Sequence, residues 1–154
     1  MSEAPPPVLV VDDQPRLATL VVQLLGRLGF KDTHVSEDGE TALSMLTERR
    51  YSLVVCDLEL PGMDGLQLLK EVRKSSDLAG TPFIVSETTF FADDVRQAMN
   101  LGADGILLKP YEAPILRAKV AYATGEKARR RRREFIGQAE FDMSLMAMAR
   151  ANFA

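Results

Sequence analysis

Short, wholly apolar runs alternate with longer stretches whose hydrophobic residues recur every three or four positions. "PVLVVDD" at the start reads as a strand buried on both faces, because no polar residue interrupts its apolar core. Pro15 suits an early helical position, and Leu17, Leu20, Val21, Leu24, Leu25 and Leu28 trace one helical stripe until Gly29 stops it. The same alternation continues with a strand at 33–36, a helix at 39–49 and the strand "SLVVCD". The turn "LPGMDG" leads into a helix through Leu66, Leu69 and Val72, followed by the strand "PFIVS" and a helix over 95–101. The strand "GILLKP" and a helix beginning near Pro114 complete the series. Five strands alternating with five helices predict an α/β fold: a five-stranded parallel sheet, doubly wound, with ligands at the carboxyl edge of the strands.

Gly125 is a natural helix stop, so the expected organisation is a flexible lead at 1–7, a body at 8–124 and an extension at 125–154. At 154 residues the chain suits one core with an appendage. The net charge of -3 hides a division: the body to Thr124 carries 12 Lys+Arg against 18 Asp+Glu, whereas the remainder carries 7 against 4. An acidic body argues against general nucleic-acid affinity, and the basic segment offers one local anion site. No apolar run reaches the roughly 18 residues of a membrane span, and "MSEAPPPV" lacks the features of a secretory signal, so a cytoplasmic location is expected. Cys56, the only cysteine, and His34, the only histidine, read as packing residues without a disulfide or a metal site.

Candidate chemistry begins where strands end. Asp12 and Asp13 close the first strand and Asp57 the third, and a parallel sheet brings these ends together. Three converging carboxylates repel unless a cation joins them, and oxygen donors of this kind suit Mg2+. Lys109, ending the fifth strand, adds a positive charge at the same edge, so that a phosphorylated carboxylate would sit between metal and ammonium.

"VVDDQP", "VVCDLELPGMDG" and "LGADGILLKP" resemble, in order and spacing, the motifs of the CheY-like receiver domains of bacterial response regulators over residues 8–124. The resemblance implies a flavodoxin-like fold and a signalling role, not an enzyme beyond phosphorylation and dephosphorylation of itself. It implies Asp57 as phosphoacceptor from a sensor histidine kinase, Asp12 and Asp13 with Asp57 as magnesium ligands, and Lys109 as a phosphoryl contact. Two positions depart from the family. Where receivers place a Thr or Ser that couples to phosphorylation, the count falls on Glu87, with Ser86 one residue early. Either the strand is one residue short and Ser86 serves, or a carboxylate occupies the switch. Ile106 stands where the family's switch aromatic is expected.

The run Arg129, Arg130, Arg131, Arg132 and Arg133 raises a separate question. Five like charges repel, so a solvated segment that is only partly helical before binding an anion is expected. Guanidinium groups pair with phosphate, hydrogen-bond guanine and stack on purines, a combination that suits cyclic di-GMP. A receiver body followed by "ARRRRREF" resembles the Cle group of CheY-like cyclic di-GMP effectors, which implies ligand bound as an intercalated dimer by this segment and the end of the last helix; Tyr111 and Arg117 are further candidates from their positions near and within that helix. It also implies output by contact with a flagellar motor switch protein, affecting motility and surface attachment. The residues leave other uses of the run open: a solubilising or polyanion-binding tail without specific nucleic-acid recognition, or a membrane-surface helix. Phe90 and Phe91 are candidates for partner contact, and the apolar tail with Phe141, Met143, Leu145, Met146 and Met148 is an adaptable surface.

Overall fold

The computed structural model describes residues 5–89 and 91–152. Strands β1 (Val8–Val11), β2 (Thr33–Ser36), β3 (Leu53–Asp57), β4 (Phe83–Glu87) and β5 (Gly105–Leu108) form one parallel sheet in the order β2-β1-β3-β4-β5. Between them run α1 (Pro15–Arg27), α2 (Gly39–Glu48), α3 (Gly65–Lys74) and α4 (Ala92–Asn100), and α5 (Ala113–Ala123) follows β5. The expected doubly wound sheet is therefore present, with α6 (Glu126–Asn152) added beyond it. β4 extends through Glu87, one residue past the expected "PFIVS".

The continuous hydrophobicity of the strands follows from their cover. Leu9, Val11, Val54, Cys56, Phe83 and Val85 face α2, α3 and α4, whereas Val8, Val10, Leu53, Val55, Ile84 and Leu107 face α1 and α5. Capping sets the helix starts on the first face. Asp38 accepts a hydrogen bond from the Thr41 amide, and Asp64 forms a reciprocal capping box with Gln67. The strand order reverses between β1 and β3, so the crevice at a topological switch point opens beside Asp12 and Asp57.

The extension departs from the expectation of a partly helical, solvated segment. α6 is a 27-residue helix, about 40 Å long at 1.5 Å per residue. Its first half docks under the amino edge of the sheet, burying Ala128 and Arg132 and half-burying Phe135 and Ile136. The charge repulsion expected within the run is relieved because Arg132 turns inward. Its guanidinium donates to Asp104 Oδ1 at 2.7 Å and to the Ala123 carbonyl at 2.9 Å. Asp104 also accepts from Arg73 at 3.1 Å and from the Phe83 amide at 2.8 Å. Arg73 in turn donates to the carbonyls of Gly102, Ala79 and Thr81. Burial lowers the Arg73 pKa to about 10, a value that keeps it charged at neutral pH.

Gly102 completes this junction. It has φ +89°, and a Cβ there would lie 2.9 Å from the Phe135 ring and 3.1 Å from Arg73 Nε. A side chain would thus meet both a strained backbone and the docked helix. Beyond Gly137 the described side chains of α6 are exposed.

Because Asp104 lies between two buried guanidinium groups, Asp104→Ala should destabilise the fold by roughly 3–5 kcal/mol. Arg132→Ala leaves the Arg73–Asp104 pair intact and should cost less, about 1–3 kcal/mol, while freeing α6. Urea unfolding measures the first effect, and amide hydrogen exchange over 126–136 the second. Equal stability of wild type and Asp104→Ala would show that the junction contributes little.

Candidate functional site

The carboxyl edge of the sheet gathers the acidic residues expected there. Asp12 follows β1, Asp13 stands next to it and Asp57 ends β3, and their oxygens can all lie within 4.8 Å of one another. Asp12 and Asp57 are buried and Asp13 is exposed, so the group opens to solvent on one side. Among the described residues this is the one group of three or more such side chains placed to hold a metal ion. Hard carboxylate oxygens fit magnesium, which keeps part of its water shell on an open side of this kind.

Lys109 spans the cluster from the end of β5. Its Nζ is 2.8 Å from Asp12 and 3.3 Å from Asp57, with all three side chains at most one-tenth exposed. Burial raises the Asp57 pKa, Lys109 opposes that shift, and the Asp12 charge adds to it. The buried Cys56 thiol, immediately before Asp57, is pushed well up by burial and then by the same carboxylates, which keeps it a neutral thiol.

The strand geometry separates the two switch candidates. β4 reaches Glu87, which pairs with Leu108, while Ser86 pairs with Asp57. Alternation sends their side chains to opposite faces, and Glu87 lines a cleft of about 90 Å³ with Asp13, Asp57, Glu59, Thr88 and Thr89. Ser86 is buried beside the strand end. Burial, then the charge and hydrogen bonding of Asp94, push the Glu87 carboxyl up to about 7, with smaller contributions from Glu59 and Asp57. Ile106 packs against the α2–α3–α4 face of the core.

The residues proposed for the anion site do not gather as one set. Arg129, Arg130, Arg131 and Arg133 are exposed on α6, whereas Arg132 is engaged in the buried junction with Asp104. Arg129 also has a long ion pair of 3.9 Å with Glu126. Arg117 is exposed on α5. Tyr111 lies at the opposite edge of the sheet from Asp104, separated by the length of the four-residue β5, roughly 13 Å. Its hydroxyl is buried without a hydrogen-bond partner, in the wall of a 410 Å³ cavity that also includes Leu17, Leu20, Leu24, Lys109 and Pro110. Burial, followed by the charges of Asp12 and Asp57, raises its pKa. Tyr111 therefore adjoins the acidic cluster and not the arginines.

His34, in β2, packs edge-on against Tyr51, and its Nδ1 is 2.8 Å from the Tyr51 hydroxyl. Phe91 is 57% exposed, and Phe90 lies outside the described residues, as does the Phe141 side chain. Among the described residues no helix is long and apolar enough to cross a membrane. Sequence reasoning missed the Arg73–Asp104–Arg132 junction and the contribution of Glu59 and Asp94 around Glu87. The junction residues are 28 and 31 positions apart, and no local spacing announces them.

Comparisons with known proteins agree with this geometry. A family model described as the response regulator receiver domain matches residues 8–121. Chemotaxis protein CheY-3 of Vibrio cholerae is 34% identical over 113 residues, covering 73% of this chain and 87% of its own. Chemotaxis protein CheY of Pseudomonas aeruginosa is also 34% identical, with 73% and 91% covered. A putative response regulator from Chloroflexus aurantiacus aligns in structure with a TM-score of 0.75 at 26% identity, over 80% of this chain and 100% of that one. The receiver domain of Francisella response regulator 1452 aligns with a TM-score of 0.69 at 30% identity, over 77% and 96% of the two chains. The family match ends within α5, so α6 lies outside it.

The Glu87 environment has a measurable consequence. With a folded pKa of about 7 against an ordinary 4.5, the folded chain holds a proton that the unfolded chain has released between those values. Its contribution to stability is fully present below about pH 4.5 and is lost as pH rises through 7. In EDTA, Glu87→Gln should flatten this part of the pH–stability curve, leaving the contribution of Asp57. An unchanged curve in the variant would place the titration elsewhere.

Proposed function

The chain belongs to the response regulator receiver family, and we propose that this member is a CheY-like signalling protein that binds cyclic di-GMP on α6 and relays it by protein contact. The observation that carries the reading is the division of the arginine run. Arg132 fixes the helix to the body, and Arg129, Arg130, Arg131 and Arg133 remain exposed on an element that is already formed. Preorganisation lowers the ordering cost of binding, and guanidinium groups serve both the phosphates and the guanine bases of this ligand. An intercalated ligand dimer provides several base planes and charges for the four exposed groups. Arg117, exposed on α5, is a secondary candidate, whereas Tyr111 lies beside the acidic cluster at the other edge of the sheet and drops out of this site. The exposed Met143, Leu145, Met146 and Met148 give the outer half of α6 an adaptable surface for a protein target, for which we propose a flagellar motor switch protein in the cytoplasm. In this reading the protein acts in motility and surface attachment and catalyses no reaction on another molecule.

The position of Lys109 supports a second reading, phosphorelay through Asp57. An Asp57 oxygen attacks the phosphorus of a sensor kinase phosphohistidine, the phosphorus–nitrogen bond breaks, and the imidazole leaves with the bonding electron pair. Lys109, 3.3 Å from Asp57, is placed to stabilise the phosphoryl oxygens. Asp12, Asp13 and Asp57 would hold magnesium, which when bound offsets phosphoryl negative charge. Glu87 opposes this chemistry whenever it is ionised, because it adds a carboxylate to the cleft that receives the phosphoryl group. As the switch residue, with Ile106 in place of an aromatic, it makes phosphorylation a weaker input than ligand at α6. The basic tail would then be an incidental polyanion site.

Calorimetric titration separates the readings. Cyclic di-GMP should bind the full chain saturably and selectively over GTP. Replacing both Arg130 and Arg133 by Ala should weaken it at least about tenfold, the consequence of losing charge-assisted hydrogen bonds. Asp57→Asn should leave that affinity within about threefold while abolishing the response to beryllofluoride with magnesium. Absence of cyclic di-GMP binding, with a normal beryllofluoride response, would leave phosphorelay as the function.

A further inference from the structure

The first half of α6 docks on the body, but fifteen of its 27 residues lie beyond Gly137, a length of about 22 Å. A helix of that length is marginal on its own in water. The face that seats α6 on the body runs on past the end of the contact. At 100° per residue, Ala139, Met143, Met146 and Arg150 all fall within about 40° of the direction of Arg132. All four are exposed, Met143 at 71% and Met146 at 59%. Leu145 and Met148 fall on the opposite side of the helix.

The charges along this stretch are ordered. Glu140 and Asp142 come first and Arg150 comes later, with no charged residue between them. Arg150 lies about 12 Å from Asp142 and about 15 Å from Glu140 along the axis, too far to pair within one helix. Asp142 accepts a hydrogen bond from Gln138 at 2.9 Å, and a carboxylate has further acceptor sites for a guanidinium. A second helix of the same sequence running antiparallel supplies what one helix cannot, because it brings base to acid at both ends. A parallel copy would set acid against acid and base against base.

We propose that α6 pairs with the α6 of a second copy of this chain, antiparallel, through Ala139, Met143, Met146 and Arg150. With the two-fold axis midway between positions 144 and 145, Met143 of each chain meets Met146 of the other. Arg150 then lies within a turn of both Glu140 and Asp142 of the other chain, which flank the row on either side. In this register position 137 stands level with position 152, so the pairing spans the stretch beyond the docked half and ends where the body begins. One sequence provides both halves of the charge pattern, which points to a copy of this chain as the occupant. Helices of about four turns bury less than a standard interface, so the pairing should be reversible and concentration-dependent. The inference goes beyond the cyclic di-GMP reading and does not depend on it; Leu145 and Met148 remain as the α6 surface for a protein target.

Sedimentation equilibrium of the full chain without nucleotide, over about three decades of concentration, tests the pairing in wild type, Arg150→Glu, Asp142→Arg and an equal mixture of the two variants. Wild type should approach the mass of two chains as concentration rises. Arg150→Glu sets acid against acid and Asp142→Arg base against base, so each alone should dimerise at least about tenfold more weakly. Both positions are exposed, and circular dichroism should show the monomer fold unchanged. The mixture restores opposite charges at both ends and should recover wild-type affinity within about threefold. A wild type that stays monomeric throughout overturns the proposal. Dimerisation unaffected by either substitution, as a parallel or unrelated contact would give, or a mixture that fails to recover, overturns it as well.

Discussion

The buried carboxylate of Asp104 holds the amino edge of this molecule together. It accepts from two arginines of distant origin and from the first amide of β4. One carboxylate cannot neutralise two guanidinium charges, and the carbonyls of Gly102, Ala79 and Thr81 accept from Arg73 while that of Ala123 accepts from Arg132. Removing the acid would leave two like charges facing each other in a poorly solvated place, which is why the arrangement is sensitive to that one residue. The same pair fixes the rotation of α6 about its axis. With Arg132 turned inward and Phe135 seated over Gly102, the remaining arginines have no choice but to face solvent.

The opposite edge is organised by a different balance. Lys109 partly compensates Asp12 and Asp57, but Glu87 and Asp94 add negative charge that it does not reach. Burial and like-charge repulsion together favour a proton on Glu87, an arrangement available to a carboxyl group and not to the hydroxyl usual in the family. The two edges are separated by the length of β5, and Tyr111 belongs with the acidic one. A ligand on α6 and a phosphoryl group at Asp57 would therefore act on separate parts of the fold.

Much of the body was legible because its information is local. The apolar strands, Pro15, Gly29 and the strand-end aspartates each carry their meaning within a few residues, and the sheet topology then assembles Asp12, Asp13 and Asp57 without further instruction. The choice between Ser86 and Glu87 was not legible, because one residue of strand length reverses which side chain faces the cleft. The state of α6 was hidden for another reason. Repulsion among Arg129 to Arg133 is a property of the segment alone, and its relief depends on Asp104, which no spacing within the segment reveals.

In the proposed function the exposed face of a preformed α6 would receive cyclic di-GMP while the acidic edge stays unoccupied. Amide chemical-shift mapping of the isotope-labelled full chain during addition of cyclic di-GMP tests it most directly. Saturable shifts should concentrate over 129–138, with the amides around Asp57, Lys109 and Tyr111 little changed. Shifts centred on Asp57 and Lys109, or no saturable shifts on α6, would contradict it.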